Sequence, residues 1–323
     1  LLTGGAGFIG SHLTDALIKM NLDVTVLDNL TSGTLLNIKK HLSSPNFWFE
    51  KANLSDGESI SRALTGIDTV FHVAANPEVR TGYQYPGIAY EENIHSTFCL
   101  LECIRKSNVK NLFFTSSSTV YGETAFIPTP ENYGPLLPIS MYGASKLACE
   151  ALISSYSYNY GVNSIIFRLA NVLGERSTHG IIWDFVDIAL DRIHEFEILG
   201  DGTQNKSYVH VTDCINCMIA CAFQPNGPVE VINVGSEDTI DVMSIAKIVL
   251  EIFKRRGTDI IRKNPHKDGR GWKGDVKTMR LDIQKAKSKG WKPTMSSLQA
   301  VIRSVNEIIA ERVVRHEPPI SSI

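Results

Sequence analysis

The segment that most constrains this chain is Thr3-Gly4-Gly5-Ala6-Gly7-Phe8-Ile9-Gly10-Ser11-His12. It satisfies both G-x-G-x-x-G and T-G-x-x-G-x-x-G, follows the strand-like Leu1-Leu2 and opens an amphipathic stretch. Glycine at these places lets the backbone turn tightly and approach a pyrophosphate, whose charge then rests on a helix N-terminus. Gly4, Gly7 and Gly10, with Phe8 and Ile9 between them, are therefore candidate dinucleotide contacts. A second strand, Val24-Thr25-Val26-Leu27, ends in Asp28, 18 residues past Gly10. A carboxylate there can accept both hydroxyls of an adenosine ribose and repels a 2′-phosphate, which favours NAD over NADP.

The rest of the first half extends this pattern. Apolar runs at Asp23–Leu27, Asp68–Ala74, Asn111–Ser116 and Asn163–Leu169 alternate with helical stretches at Ile9–Met20, Glu91–Ser107 and Met141–Tyr160. Continuous apolar strands separated by helices imply a parallel sheet covered on both faces. The expected fold class is α/β: a doubly wound parallel (Rossmann) sheet over residues 1–170, with a smaller α/β lobe over 171–315 interwoven with it. In that lobe short strands are expected at Glu197–Leu199, Tyr208–Val211, Val229–Asn233 and Lys277–Leu281, and helices at Thr212–Phe223, Asp241–Arg256 and Ser296–Arg315. Arg262–Asp275, rich in glycine and charge, reads as a long surface loop, and residues 316–323 as a loose tail. The chain opens on Leu1 without Met, at what reads as the end of a strand, so a few residues are expected to precede it.

Composition narrows the function classes. The 32 Lys and Arg nearly cancel the 34 Asp and Glu, so no general electrostatic attraction to nucleic acid or an anionic membrane is expected. No apolar run reaches the roughly 20 residues that span a bilayer. The six cysteines fall mostly at helical spacings in apolar runs, as in Cys99-x3-Cys103. They read as free thiols of a reducing, cytoplasmic compartment. Cys214, Cys217 and Cys221 share one helix face, and with no second Cys/His cluster spaced to complete a site, no metal is expected.

Chemistry is suggested by Tyr142-Gly143-Ala144-Ser145-Lys146, which sets a phenol and an ammonium four residues apart on one helix face. Bringing a phenol from its ordinary pKa of about 10 to near 7 takes roughly 4 kcal/mol of phenolate stabilisation. A neighbouring ammonium and a cationic nicotinamide ring can supply that where water is excluded. Upstream, Asn111–Ser116 empties into the hydroxyls Ser116, Ser117, Ser118 and Thr119, at the carboxyl end of a strand, where doubly wound sheets bind ligands.

These motifs together resemble the extended short-chain dehydrogenase/reductase family and, within it, the UDP-glucose 4-epimerases, especially the shorter prokaryotic forms. The resemblance runs through TGGAGFIGSH (3–12), DNLTSG (28–33), FHVAANPEVR (71–80), EEN (91–93), SSSTVYG (116–122), YGASK (142–146), RLANVLG (168–174), KSYVHVTD (206–213) and GRGWKGDV (269–276). It implies that Tyr142 is the catalytic base, that Lys146 holds the nicotinamide ribose and lowers the phenol's pKa, and that Ser117 binds the sugar hydroxyl and relays its proton. Ser116 and Ser118 leave that last assignment open by one position. It also implies cofactor contacts from Asn29, Ser32, Gly33 and Ala74, with Asn53 and Leu54 flanking the adenine and Asn93 positioning the active-site helices. Asn53 stands where the family has Asp, and its carbonyl oxygen can still accept from the adenine amino group. Asn171, Lys206, Arg270 and Asp275 match substrate positions. The family carries Arg at the Lys206 position, and Lys cannot grip a diphosphate bidentately, so Arg270 is expected to carry more of that charge.

The implied activity is NAD-dependent epimerisation of a UDP-sugar at C4. By the same resemblance, dehydratases carry an Asp-Glu pair directly after the hydroxyl residue and decarboxylating relatives keep the Glu. Here Ser118 and Thr119 stand there, and neither works as a general acid or base near neutral pH. A net dehydrogenase of a sugar or amino acid, and a non-catalytic NAD-binding protein, are the alternatives. A homodimer is expected by resemblance, through Glu91–Ser107 and Met141–Tyr160, with Phe98, Leu101, Cys149, Leu152 and Ile153 as its apolar faces. By the same resemblance Met279 lies near a position that gates bulk at the sugar C2, leaving hexose, N-acetylhexosamine and uronic acid open.

Overall fold

A computed structural model describes residues 1–80, 82–191, 195–222, 226–263 and 267–315. A seven-stranded sheet is formed by β1 (Leu2–Thr3), β2 (Val24–Asp28), β3 (Phe47–Lys51), β4 (Thr69–His72), β5 (Asn111–Ser117), β6 (Asn163–Leu169) and β11 (Val229–Val234). Every pairing in it is parallel, in the order β11-β6-β5-β4-β1-β2-β3. The order reverses between β1 and β4, and the crevice beyond the strand ends at such a reversal is where open α/β sheets bind ligands. The strands read as unbroken apolar runs because both faces are covered. Phe71, Phe113 and Phe167 pack into one core, whereas Val70, Phe114 and Ile166, their neighbours in sequence, pack into the other.

Around this sheet lie α1 (Phe8–Lys19), the short α2 (Leu35–Ile38), α3 (Gly57–Ala63), α4 (Pro86–Ala89), α5 (Ser96–Ile104) and α6 (Met141–Tyr160). Helix α6 has the bounds expected from sequence. Ser140 caps it by accepting from the Gly143 N–H at 3.1 Å, and Gly161, at φ +74°, ends it in the left-handed region. The helix expected over Glu91–Ser107 begins instead as a π-helical turn, Tyr90–His95, that runs into α5. β3 and α3 escaped the sequence reading, each being short and weakly patterned.

The lobe contains β7 (Asn171–Leu173), α7 (Ile181–Leu190), β8 (Glu195–Leu199), β9 (Asn205–Lys206), β10 (Tyr208–His210), α8 (Val211–Ala222), β12 (Ile240–Asp241), α9 (Val242–Ile252), β13 (Asp259–Lys263), β14 (Thr278–Met279), α10 (Gln284–Ser288) and α11 (Ser297–Arg315). Helices α7, α9 and α11 share a third core with Phe196 and Ile198 of β8. The sheet's β11 edge is drawn from beyond residue 170, so the two halves interlock along the chain. Arg262 and Lys263, expected in a loop, pair as β13 with Ile198 and Leu199 of β8. Residues 264–266, Phe223 and the expected tail at 316–323 lie outside the described residues. Among the described residues no helix is long and apolar enough to cross a membrane.

Candidate active site

A cavity of about 750 Å³ runs from the glycine loop to the lobe. At one end β1 turns through Gly4–Gly7 into α1. Gly4 has φ +70°, and a Cβ there would lie 2.7 Å from the Ala74 backbone. A Cβ on Gly10 would come 2.0 Å from the Gly4 carbonyl oxygen, so the close approach of loop and helix requires glycine at both positions. Helix α1 has no side-chain cap and no acidic residue in its first turn, which leaves its N-terminal dipole free for an anion. Asp28, buried at the end of β2, accepts from the Ala6 N–H at 2.9 Å and the Leu30 N–H at 2.8 Å while lining the cavity. Asn29, Ser32, Asn53, Leu54 and Ala74 line the same end. Asn29 donates to the Asn53 side-chain oxygen at 2.7 Å, which takes up one of the lone pairs expected to face an adenine. Gly33 lies just outside, packed on the loop so that a Cβ would meet Ala6 at 2.9 Å.

Tyr142, Lys146 and Ser117 meet in the middle of the cavity. The Lys146 ammonium donates to the Thr115 carbonyl at 2.8 Å and sits 5.8 Å from the centroid of the Tyr142 ring. Burial pushes Lys146 down to about 8. Burial pushes Tyr142 up to about 12 in the protein alone, opposed only by a hydrogen bond from Ser117. The ammonium is spent on a backbone carbonyl rather than on the phenol oxygen, so the chain by itself does not lower this pKa. Among the three serines, Ser116 donates to Glu150 at 2.5 Å, within the buried Glu150–Arg168 ion pair, leaving Ser117 as the one against Tyr142. Asn93, on the π-helical turn, is buried outside the cavity. It accepts from the Asn76 N–H at 2.7 Å and donates to Ser145 at 2.9 Å, tying the segment after β4 to α6.

At the lobe end, Asn171, Lys206, Asp275, Trp272 and Met279 line the cavity. Lys206 is ion-paired to Asp275 at 2.6 Å and lies 5.4 Å from the Trp272 ring centroid. Arg270 is not among the lining residues. Its guanidinium is held by Glu123 at 2.7 Å, by Asp268 at 2.5 Å and by the Asp275 carbonyl. Two further charged segments escaped the sequence reading. Glu78 and Arg80 follow β4, His179 precedes α7 and Asp184 lies in its first turn, and Arg80 pairs with Asp184 at 3.0 Å across the cleft. The quoted NPEVR string contained the first pair, but nothing in its spacing marked it.

The model of the NAD dependent epimerase/dehydratase family matches residues 1–235. A putative UDP-glucose 4-epimerase of Methanocaldococcus jannaschii is 35% identical over 312 residues, covering 95% of this chain and 97% of that one. The chain belongs to the NAD-dependent epimerase/dehydratase family. Among solved structures, a UDP-galactose 4-epimerase is 38% identical with a TM-score of 0.83, over 96% of this chain and 98% of its own. A double mutant of a dTDP-glucose 4,6-dehydratase from Streptomyces venezuelae, with NAD bound, is 26% identical with a TM-score of 0.88, over 97% of each chain.

The family's NAD fits the residues present. The loop admits no Cβ at Gly4 or Gly10, the uncapped α1 faces the cavity, and the Asp28 carboxylate lies at the β2 end where a ribose is gripped. Lys146 is buried in the same cavity, its ammonium 5.8 Å from the Tyr142 ring centroid.

Proposed function

We propose that the chain epimerises a UDP-sugar at C4, interconverting UDP-glucose and UDP-galactose through a transient 4-keto sugar. One observation supports this above the other activities of the family: the two residues that follow Ser117 along the cavity wall, Ser118 and Thr119, carry only hydroxyls where dehydratases carry an acid pair. Neither can protonate a leaving hydroxyl or remove a C5 proton, so elimination lacks its acid and base. NAD, when bound, would supply a reversible hydride acceptor and, while oxidised, a positive charge that favours the phenolate.

Tyr142 takes the proton of the sugar 4-hydroxyl and returns it after the ketone has turned over. Ser117 steadies the phenol oxygen, and the Lys146 ammonium, held on the Thr115 carbonyl, is the group to hold the nicotinamide ribose. The sugar must turn while the nucleotide stays, so binding is concentrated at the lobe, remote from the reacting carbon. Lys206, beside Asp275 and Trp272, carries the diphosphate charge there, since it lines the cavity and Arg270 does not. The six unpaired thiols suit a cytoplasmic enzyme.

The dimer expected from resemblance stays part of this proposal with a smaller face. Leu101, Cys149 and Ile153 are buried inside the protomer, whereas Phe98 of α5 and Tyr158 and Tyr160 of α6 remain exposed.

The test is to incubate purified protein, without added NAD, with UDP-glucose, UDP-galactose, UDP-N-acetylglucosamine and UDP-glucuronate and to resolve the products chromatographically. A C4 isomer of the hexose donors is expected. Net NADH formation on adding NAD, with no isomer from any donor, would replace this reading by a net dehydrogenase. Tyr142→Phe is expected to lose about 100-fold or more of kcat while remaining folded; retention of over a tenth of the activity would remove the phenol from its role.

A further inference from the structure

Ser117 ends β5, and the tight turn after it, Ser118–Tyr121, folds Thr119 back over it. The Thr119 N–H donates to Ser117 Oγ at 3.2 Å and the Thr119 hydroxyl donates to the same atom at 2.9 Å. A serine oxygen has two acceptor sites and one proton. With both sites filled by Thr119, the Ser117 hydroxyl has only its proton left to offer.

The phenol of Tyr142 lines the same cavity, and Ser117 is the side chain whose hydrogen bonding acts on it, so the phenol is the group to receive that proton. The turn is seated on the start of α6, so closely that a Cβ on Gly143 would come within 2.8 Å of the Thr119 carbonyl oxygen. Thr119, Ser117 and Tyr142 consequently face one cavity from two elements in fixed contact. A neutral phenol both donates and accepts, whereas a phenolate only accepts. A neighbour that can only donate therefore favours the anion.

Resting on the proposed epimerase reading, we infer that Thr119 is a positioning residue: it occupies both lone pairs of Ser117, so that Ser117 donates to Tyr142 and biases the phenol toward the basic form the reaction uses. The position held in dehydratases by an acidic residue thus serves here to direct a hydrogen bond. No proton leaves the Thr119–Ser117 pair; the sugar hydroxyl's proton goes to Tyr142.

Thr119→Val removes the hydroxyl and keeps the shape, and Thr119→Ser keeps the hydroxyl. In Thr119→Val the acid limb of the kcat/pH profile is expected to move up by about half to one unit, which is roughly three- to tenfold less phenolate at a given pH. KM should change little, and Thr119→Ser should restore the limb. A readout free of turnover is the titration of Tyr142 followed by its ¹³Cζ signal in labelled protein, assigned by its loss in Tyr142→Phe. That signal should titrate higher in Thr119→Val by the same shift. If Thr119→Val does not fold, Thr119→Ala removes the same hydroxyl with less bulk. An unmoved titration in the hydroxyl-less variant, or an equal shift in Thr119→Ser, overturns the inference. A wild-type protein that epimerises none of the four donors defeats the proposed function instead, and the ¹³C titration still decides the role of Thr119.

Discussion

Tyr142 and Lys146 were legible in the sequence as a pair, because four residues of helix bring two side chains to one face. Their electrostatics were not legible, because pKa values depend on burial and on what the ammonium touches. Lys146 is bonded to the Thr115 carbonyl and Tyr142 is raised to about 12 in the protein alone, so the ammonium by itself does not supply the acidification that the sequence reading assigned to it together with the nicotinamide. Lowering that phenol therefore falls to groups that arrive with the ligands, helped by Ser117. The burial of Lys146 also has a stability consequence. Its pKa falls from 10.5 to about 8, so the folded state binds the proton more weakly than the unfolded chain. The penalty, of order 3 kcal/mol, is full below pH 8 and disappears as pH rises toward 10.5. Lys146→Met is expected to be inactive yet at least as stable as the parent in urea unfolding at pH 7, with any advantage fading between pH 8 and 10.5. A variant markedly less stable at pH 7 would show that the bond to Thr115 outweighs the desolvation. Position 117 was uncertain by one residue in the sequence for a related reason: three consecutive serines have the same chemistry, and only the Glu150–Arg168 pair beneath the sheet removes Ser116.

At the scale of elements, the strands of the central sheet were readable because their two-sided burial leaves unbroken apolar runs. Helix α6 was readable to its last residue because Ser140 and Gly161 cap it. The π-helical turn at Tyr90–His95 was not, since its reason is tertiary: it turns Asn93 toward Asn76 and Ser145. β13 was hidden by charge, its residues being mostly exposed. The glycine loop carries the sharpest expectation at this scale. Gly10→Ala would thrust a methyl group into the Gly4 carbonyl, forcing β1 and α1 apart. Overpacking of this kind costs about 1–3 kcal/mol, and NAD retained through purification, measured by absorbance after acid release, should fall to near zero in a protein that still shows a cooperative melt. Undiminished NAD content would mean that the loop is not the pyrophosphate cradle.

For the whole molecule, two lobes interlock along the chain and meet across one cavity, where Arg80 on one side is paired with Asp184 on the other. The sequence did not convey this contact, because residues 104 positions apart carry no mutual spacing signal. The proposed association surface has the same difficulty: helical periodicity marks apolar faces without saying which face the protomer itself buries. Phe98, Tyr158 and Tyr160 are what remains outside. Light scattering is expected to give twice the 35.7 kDa chain mass, and Phe98→Glu to give the single chain mass; an unaltered mass in that variant would move the interface elsewhere. The claim on which the whole account turns is that the hydrogen at the sugar C4 leaves and comes back within one closed site. A crossover experiment measures this directly: UDP-galactose deuterated at C4 is mixed with UDP-galactose carrying ¹³C throughout the sugar, and the UDP-glucose formed is analysed by mass spectrometry. The account predicts that deuterium stays at C4 of the molecules that brought it, whereas deuterium lost to water or found on the ¹³C sugar would contradict it.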